Sequence, residues 1–239
     1  MADVTGRQTR SAARTLPPVN LKISRRIGAA SCVALLGLSG CASSDRADSP
    51  ASPAASSRAT DGPAGTSAGR ESEEIPPLTQ QRWWAWAAAE PTATNPVADA
   101  TGDHCARNQP ADVWFVAGTF GGRVTRRCTL TAGRPIIAPL LNRVTTDEAD
   151  CDDFLDAADG WAVMDQERVK PKKLTSERVR FDVVAGNPIF DSDGGRFQGV
   201  ACGLWIALPS PEAGEHQLII RGRAGDFQVW VEYMLDVQS

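Results

Sequence analysis

Phe227, Val229, Val231, Tyr233, Leu235 and Val237 alternate with Gln228, Trp230, Glu232, Met234 and Asp236. A period of two held over that length commits the segment to a strand with one apolar face, because successive side chains of an extended chain point to opposite sides. The run HQLIIR over 216–221 precedes it and RGRAGD supplies turn residues, so the two form a hairpin. Shorter β-rich runs at 113–117, 124–130, 135–142, 178–185 and 203–208 are separated by Gly, Pro and Asp. About seven strands with little helix between them predict a mainly β fold, an antiparallel sandwich of jelly-roll or immunoglobulin-like type. Two helical exceptions are expected. One covers 78–90, with Thr79 as its N-cap and Pro91 as its stop, and a shorter one covers 152–158.

The region before residue 78 has a different character. Lys22, Arg25 and Arg26 precede an apolar run over 27–37, and small residues lead to Cys41. This is the pattern of a signal peptide. The run is far shorter than the roughly 20 residues a membrane-crossing helix needs. Leu38, Ser39, Gly40 and Cys41 resemble the bacterial lipobox, which implies lipidation of Cys41 after cleavage and places residues 1–40 in the leader. Acyl chains on Cys41 would anchor the chain at the extracytoplasmic face of a bacterial membrane, each buried methylene contributing about 0.8 kcal/mol. Arg25 and Arg26 also form a weak twin-arginine signal, so the export route stays open between that and the general one. From 42 to 77, 26 of 36 residues are Ala, Ser, Pro, Gly or Thr. A segment so poor in large apolar side chains is expected to be a disordered tether, leaving 78–239 as one folded domain.

Charge narrows the partners. The chain has 25 basic and 29 acidic residues, of which 6 and 1 fall in the first 40, so the remainder carries 19 against 28, a net −9. An acidic body disfavours a sequence-independent grip on nucleic acid. Four cysteines remain in the domain, Cys105, Cys128, Cys151 and Cys202, and an even number in an exported chain reads as two disulfides. Of the three pairings open to them, Cys105 with Cys128 and Cys151 with Cys202 is favoured.

Catalytic patterns are scarce. There is no G-x-S-x-G turn, and His104 and His216 are the only histidines. No catalytic residue is nominated and no organic cofactor is implied. Seven carboxylates fall within 147–159, and Asp191, Asp193 and two glycines form a fragment of a calcium loop, so Asp152, Asp153, Asp191 and Asp193 are weak calcium candidates. Trp83, Trp84 and Trp230 are candidates for an aromatic binding strip, although a helix using its tryptophans to dock on the domain is the better reading of the first two.

The motifs RWWAWA, NP with D-x-TG before Cys105, VWFVAGTFGG, TRRCTLTAG, PLLN and CGLWIALPSPEAGEHQLIIRG together resemble a group of secreted bacterial proteins of unknown function. The resemblance spans most of 83–237, is weakest around Cys151 and over 168–173, and brings no activity, ligand or site residue. The expectation is therefore a membrane-tethered lipoprotein whose β-sandwich binds an envelope glycan, a protein partner or a small ligand. The alternative is a carboxylate-based glycoside hydrolase acting on envelope or external polysaccharide, since two carboxylates can come from distant positions. If Cys41 holds the anchor, Cys41→Ala moves the protein from the membrane fraction to the soluble one; unchanged partitioning would refute it.

Overall fold

The computed structural model describes residues 69–190 and 193–239. The leader, Cys41, most of the tether and Asp191 lie outside these residues. Among the described residues two α-helices, α1 (Thr79–Ala88) and α2 (Glu148–Asp156), accompany ten strands: β1 (Arg70–Glu71), β2 (Trp114–Phe115), β3 (Gly122–Thr131), β4 (Ile136–Thr145), β5 (Ala158–Met164), β6 (Glu167–Lys170), β7 (Lys172–Val183), β8 (Gly195–Leu208), β9 (Gly214–Ala224) and β10 (Phe227–Gln238). The fold is mainly β. One sheet has the order β1-β6-β5-β9-β10-β3 and the other β2-β4-β8-β7. Between them lies a core of Ile136, Ala138, Leu140, Leu204, Ile206 and Leu208 from the smaller sheet against Leu218, Ile220, Val231, Tyr233 and Leu235 from the larger.

The expected hairpin is β9 and β10, antiparallel from Phe227 opposite Ala224 to Val237 opposite Gly214. The sheets are nonetheless mixed. β3 runs parallel to β10, β2 to β4, and β1 to β6. Each parallel pair joins strands separated by an excursion through other parts of the chain, so no tight turn enforces an antiparallel return. The chain also enters the fold earlier than residue 78. β1 pairs with β6, and the buried Ser72 hydroxyl accepts from the Ala207 amide at 2.7 Å. Residues 167–170, overlapping the stretch where the family pattern is weakest, form β6.

α1 covers the outer side of the smaller sheet and makes a third layer. Trp83, Trp84 and Trp86 are buried beneath it with Phe115, Phe181, Phe190, Phe197 and Trp205. Thr79 is not its N-cap. Leu78 holds that position with a left-handed φ of 61°, and the Thr79 hydroxyl donates back to the Pro76 carbonyl at 2.7 Å. The far end of α1 is closed by two asparagines that each precede a proline. Nδ2 of Asn95 and Nδ2 of Asn187 both donate to the Ala87 and Glu90 carbonyls at 2.8–3.0 Å. Their Oδ1 atoms accept from the Val97 and Ile189 amides. Two N-P-aliphatic turns thus satisfy carbonyls that a helix C-terminus leaves open.

Both favoured disulfides are present, Cys105–Cys128 and Cys151–Cys202. The first ties the loop before β2 to β3, and the second pins α2 on β8. α2 starts four residues before the expected 152, because the Asp147 side chain accepts from the Ala149 amide and Glu148 and Asp150 occupy its first turn. Residue 158 belongs to β5, not to this helix.

Arg126, on β3, is only 1% exposed. Its Nε donates to the Asp99 carbonyl at 2.7 Å, Nη1 to the Ala117 and Gly118 carbonyls at 3.0 Å and to Tyr233 Oη at 2.7 Å, and Nη2 to the Val97 carbonyl at 3.0 Å. Tyr233 Oη in turn donates to the Ala117 carbonyl and accepts from its amide. The adjacent Asp99 carboxylate is occupied by the Thr101, Gly102 and His104 amides. Burial pushes its pKa up, but these hydrogen bonds outweigh that effect and hold it below the ordinary value. Arg126→Met leaves four carbonyls without this donor set and should cost at least about 3 kcal/mol in chemical denaturation. A change below about 1 kcal/mol would contradict the assignment.

Candidate functional site

The larger sheet has one face in the core and the other uncovered by any described element. Its strand register arranges that outer face in rows. Trp230 of β10 stands opposite Arg221 of β9 and Arg123 of β3, and Arg221 stands opposite Trp161 of β5. The side chains interleave. The Arg123 guanidinium lies 4.0 Å from the Trp230 ring centre and that of Arg221 3.2 Å from it. Arg221 is also 5.0 Å from the Trp161 ring centre, and Arg168 of β6 is 5.2 Å from it. The result is an Arg-Trp-Arg-Trp-Arg ladder with one rung from each of five adjacent strands, roughly 19 Å long at the usual strand spacing.

The local sequence explains why these side chains point outward. Gly160 and Gly222 are opposite one another on β5 and β9. A Cβ on Gly222 would meet the Leu140 carbonyl at 2.6 Å, and one on Gly160 would come within 3.0 Å of the Leu140 side chain. This pinch against the β4 bulge fixes both glycines inward, so their neighbours Trp161 and Arg221 must face out.

The ladder is unevenly neutralised. Glu232 Oε2 accepts from Arg123 at 3.4 Å, while Oε1 accepts from Gln217 at 2.9 Å. Arg223 and Asp159 pair on the neighbouring row at 3.2 Å. Among the described residues Arg221 and Arg168 form no ion pair. Nε of Arg221 and Nε1 of Trp230 are buried with no hydrogen-bond partner among those residues. The arrangement can present cationic N–H edges, separated by indole edges, on a face open to solvent.

Of the tryptophans nominated from sequence, Trp230 is in the ladder and is half-buried. Trp83 and Trp84 are not part of any strip. They are 2% and 6% exposed under α1, because a helix on the outer side of the smaller sheet needs an apolar face to dock with. Trp161 and the three arginines escaped the sequence reading, since the ladder exists only once the register of five strands is known.

The calcium candidates do not converge. Asp152 and Asp153 are exposed on α2 and Asp193 is exposed before β8. Among the described residues no three His, Cys, Asp or Glu side chains are grouped to hold a metal. Much of the acidic segment has partners instead: Asp147 caps α2, Asp150 accepts from Thr145, and Asp159 pairs with Arg223. Burial raises the pKa of Glu177, whose side chain is engaged by the Gln80 amide and not by a second carboxylate.

Across the same sheet, Arg127, Glu215, His216, Met234 and Asp236 line a shallow depression of about 180 Å³. His216 Nδ1 lies 2.6 Å from Asp165 Oδ2 and Nε2 lies 2.9 Å from the Glu212 carbonyl. Both ring nitrogens face acceptors, which suits the protonated ring. The hydrogen bond to Asp165 raises the His216 pKa against the opposing effect of burial, with the Glu212 carbonyl adding to the rise. No family model, curated protein or solved structure matches this chain.

The sign of the pH effect follows. A raised folded-state pKa contributes stability that is fully present below the unfolded value of about 6.5 and is lost as pH climbs through the folded value. Thermal melts of the protein should show this loss across and above neutral pH, and His216→Gln should flatten that part of the profile. An identical profile for the variant would exclude the contact as its source.

Proposed function

We propose that the chain is an extracytoplasmic, membrane-tethered binding module whose ligand face is the outer face of the larger sheet. The observation that carries this is the ladder: two half-buried tryptophans and three arginines gathered on a sheet face that nothing described covers. Folded domains seldom leave large aromatic side chains on an open face without use. The leader, the lipobox ending at Cys41 and the Ala/Ser/Pro-rich tether support the location, as does the resemblance to secreted bacterial proteins. Two disulfides suit an oxidising compartment. A tether of that length would let the domain stand clear of the membrane surface and turn this face toward envelope material.

The test is binding to isolated cell-envelope polysaccharide by the protein and by a Trp161→Ala, Trp230→Ala double variant. Each cation–π contact contributes only about 0.5–1 kcal/mol at such exposure, so the variant should stay folded, with a melting temperature lowered by a few degrees at most. Binding should be lost. Undiminished binding by a folded double variant would remove this face from the function.

A further inference from the structure

We infer that the ladder recognises an acidic polysaccharide carrying one carboxylate on alternate sugars; this rests on the outer sheet face being the ligand face. The argument begins with what the ladder hides. Trp230 lies between Arg123 on β3 and Arg221 on β9, so both indole faces are covered by guanidinium groups. Trp161 is enclosed in the same way by Arg221 and Arg168. Stacking of a sugar ring on an open indole face, the usual way an aromatic strip grips a neutral glycan, is therefore blocked. What faces solvent is the edge of each rung: N–H donors from the arginines and apolar ring edges from the tryptophans.

A guanidinium edge selects a planar anion, because two parallel N–H groups match the two oxygens of a carboxylate. The spacing then selects the polymer. Arg123, Arg221 and Arg168 stand on alternate strands, β3, β9 and β6, with β10 and β5 between them. Two strand gaps are roughly 10 Å. That is about the length of two pyranose units in an extended chain, so a polysaccharide with an acid on every second sugar brings its carboxylates to the guanidiniums in turn. The intervening neutral sugar would lie on an indole edge. Among the described residues Arg221 and Arg168 have no ion-pair partner to displace, and Glu232, bonded to Arg123 and Gln217, is the only carboxylate hydrogen-bonded to a rung.

An acidic peptide is the weaker fit. Its backbone N–H and C=O groups need partners, which a sheet edge supplies and a sheet face does not. A sugar chain carries no such requirement. An anionic membrane would engage lysines and arginines spread over a surface, whereas the chain beyond the first 40 residues is net acidic.

The experiment is calorimetric titration of the full mature chain with hyaluronan oligosaccharide, whose uronic acid alternates with a neutral sugar. Oligogalacturonate, chitohexaose, oligoglutamate and phosphatidylglycerol vesicles are run in parallel. The expected result is saturable binding of the alternating oligosaccharide that weakens with salt and drops roughly tenfold in each of Arg221→Gln and Arg168→Gln. Unshifted melting temperatures in both variants would show that the loss is not unfolding. Tighter binding of oligogalacturonate overturns the alternate spacing. Equal binding of chitohexaose overturns the acidic class while leaving the ligand face in place. Binding of oligoglutamate or vesicles alone overturns the saccharide assignment, and binding of none of the probes overturns the ligand face as well.

Discussion

A guanidinium with almost no exposure, solvated by neutral oxygens, is the contact on which the larger sheet depends. Arg126 gathers the Val97, Asp99, Ala117 and Gly118 carbonyls and Tyr233 Oη around one side chain. Burying an unpaired cation is costly, and it is tolerated only where its donors find acceptors. Hydrogen bonds to so many separate acceptors leave little freedom in the placement of the loop over 95–102, of the chain at 117–118, or of β3 against β10. The parallel pairing of β3 with β10 is thereby held at both its backbone and its side chains, and the Cys105–Cys128 disulfide adds a covalent tie close to the same loop.

From this centre the geometry of the outer face follows by parity. Along β3, Arg126 points inward, so Arg123 points outward; along β10, Tyr233 points inward and Trp230 outward. On β5 and β9 the glycines at the pinch do the same for Trp161 and Arg221. A slip of one residue in any of these strands would put a charged or indole rung into the core and break the ladder. The ligand face is thus set by contacts on the far side of the sheet, and its arginines are held by ring faces more than by counter-ions.

The parts of this fold that depend on short-range pattern were legible in the sequence. The alternation through Val237 identifies β10, the RGRAGD turn identifies the hairpin, and the four cysteines pair with their sequence neighbours. Features set by distant segments were not. The parallel pairs join strands that are far apart along the chain, so no turn announces them. The stretch over 158–164 offers another case: ADGWAVM follows directly on an acidic helix and carries too little alternation to separate β5 from it, which hid Trp161. Arg126 reads as a surface residue beside Arg127, and only the loop folded over it makes it a core residue. The tandem of Asn95–Pro96 and Asn187–Pro188 does leave a trace in the sequence, as two N-P-aliphatic triplets.

The central claim is that the outer face of the larger sheet meets the ligand through its ladder. Indole N–H resonances of the seven tryptophans offer the most direct view, since two belong to the ladder and the other five, Trp83, Trp84, Trp86, Trp114 and Trp205, are buried elsewhere. In a titration of the isotope-labelled protein with the alternating uronic acid oligosaccharide, the account predicts that the Trp161 and Trp230 signals move to saturation while the other five stay in place. Movement confined to the buried tryptophans, with the ladder signals still, would contradict it.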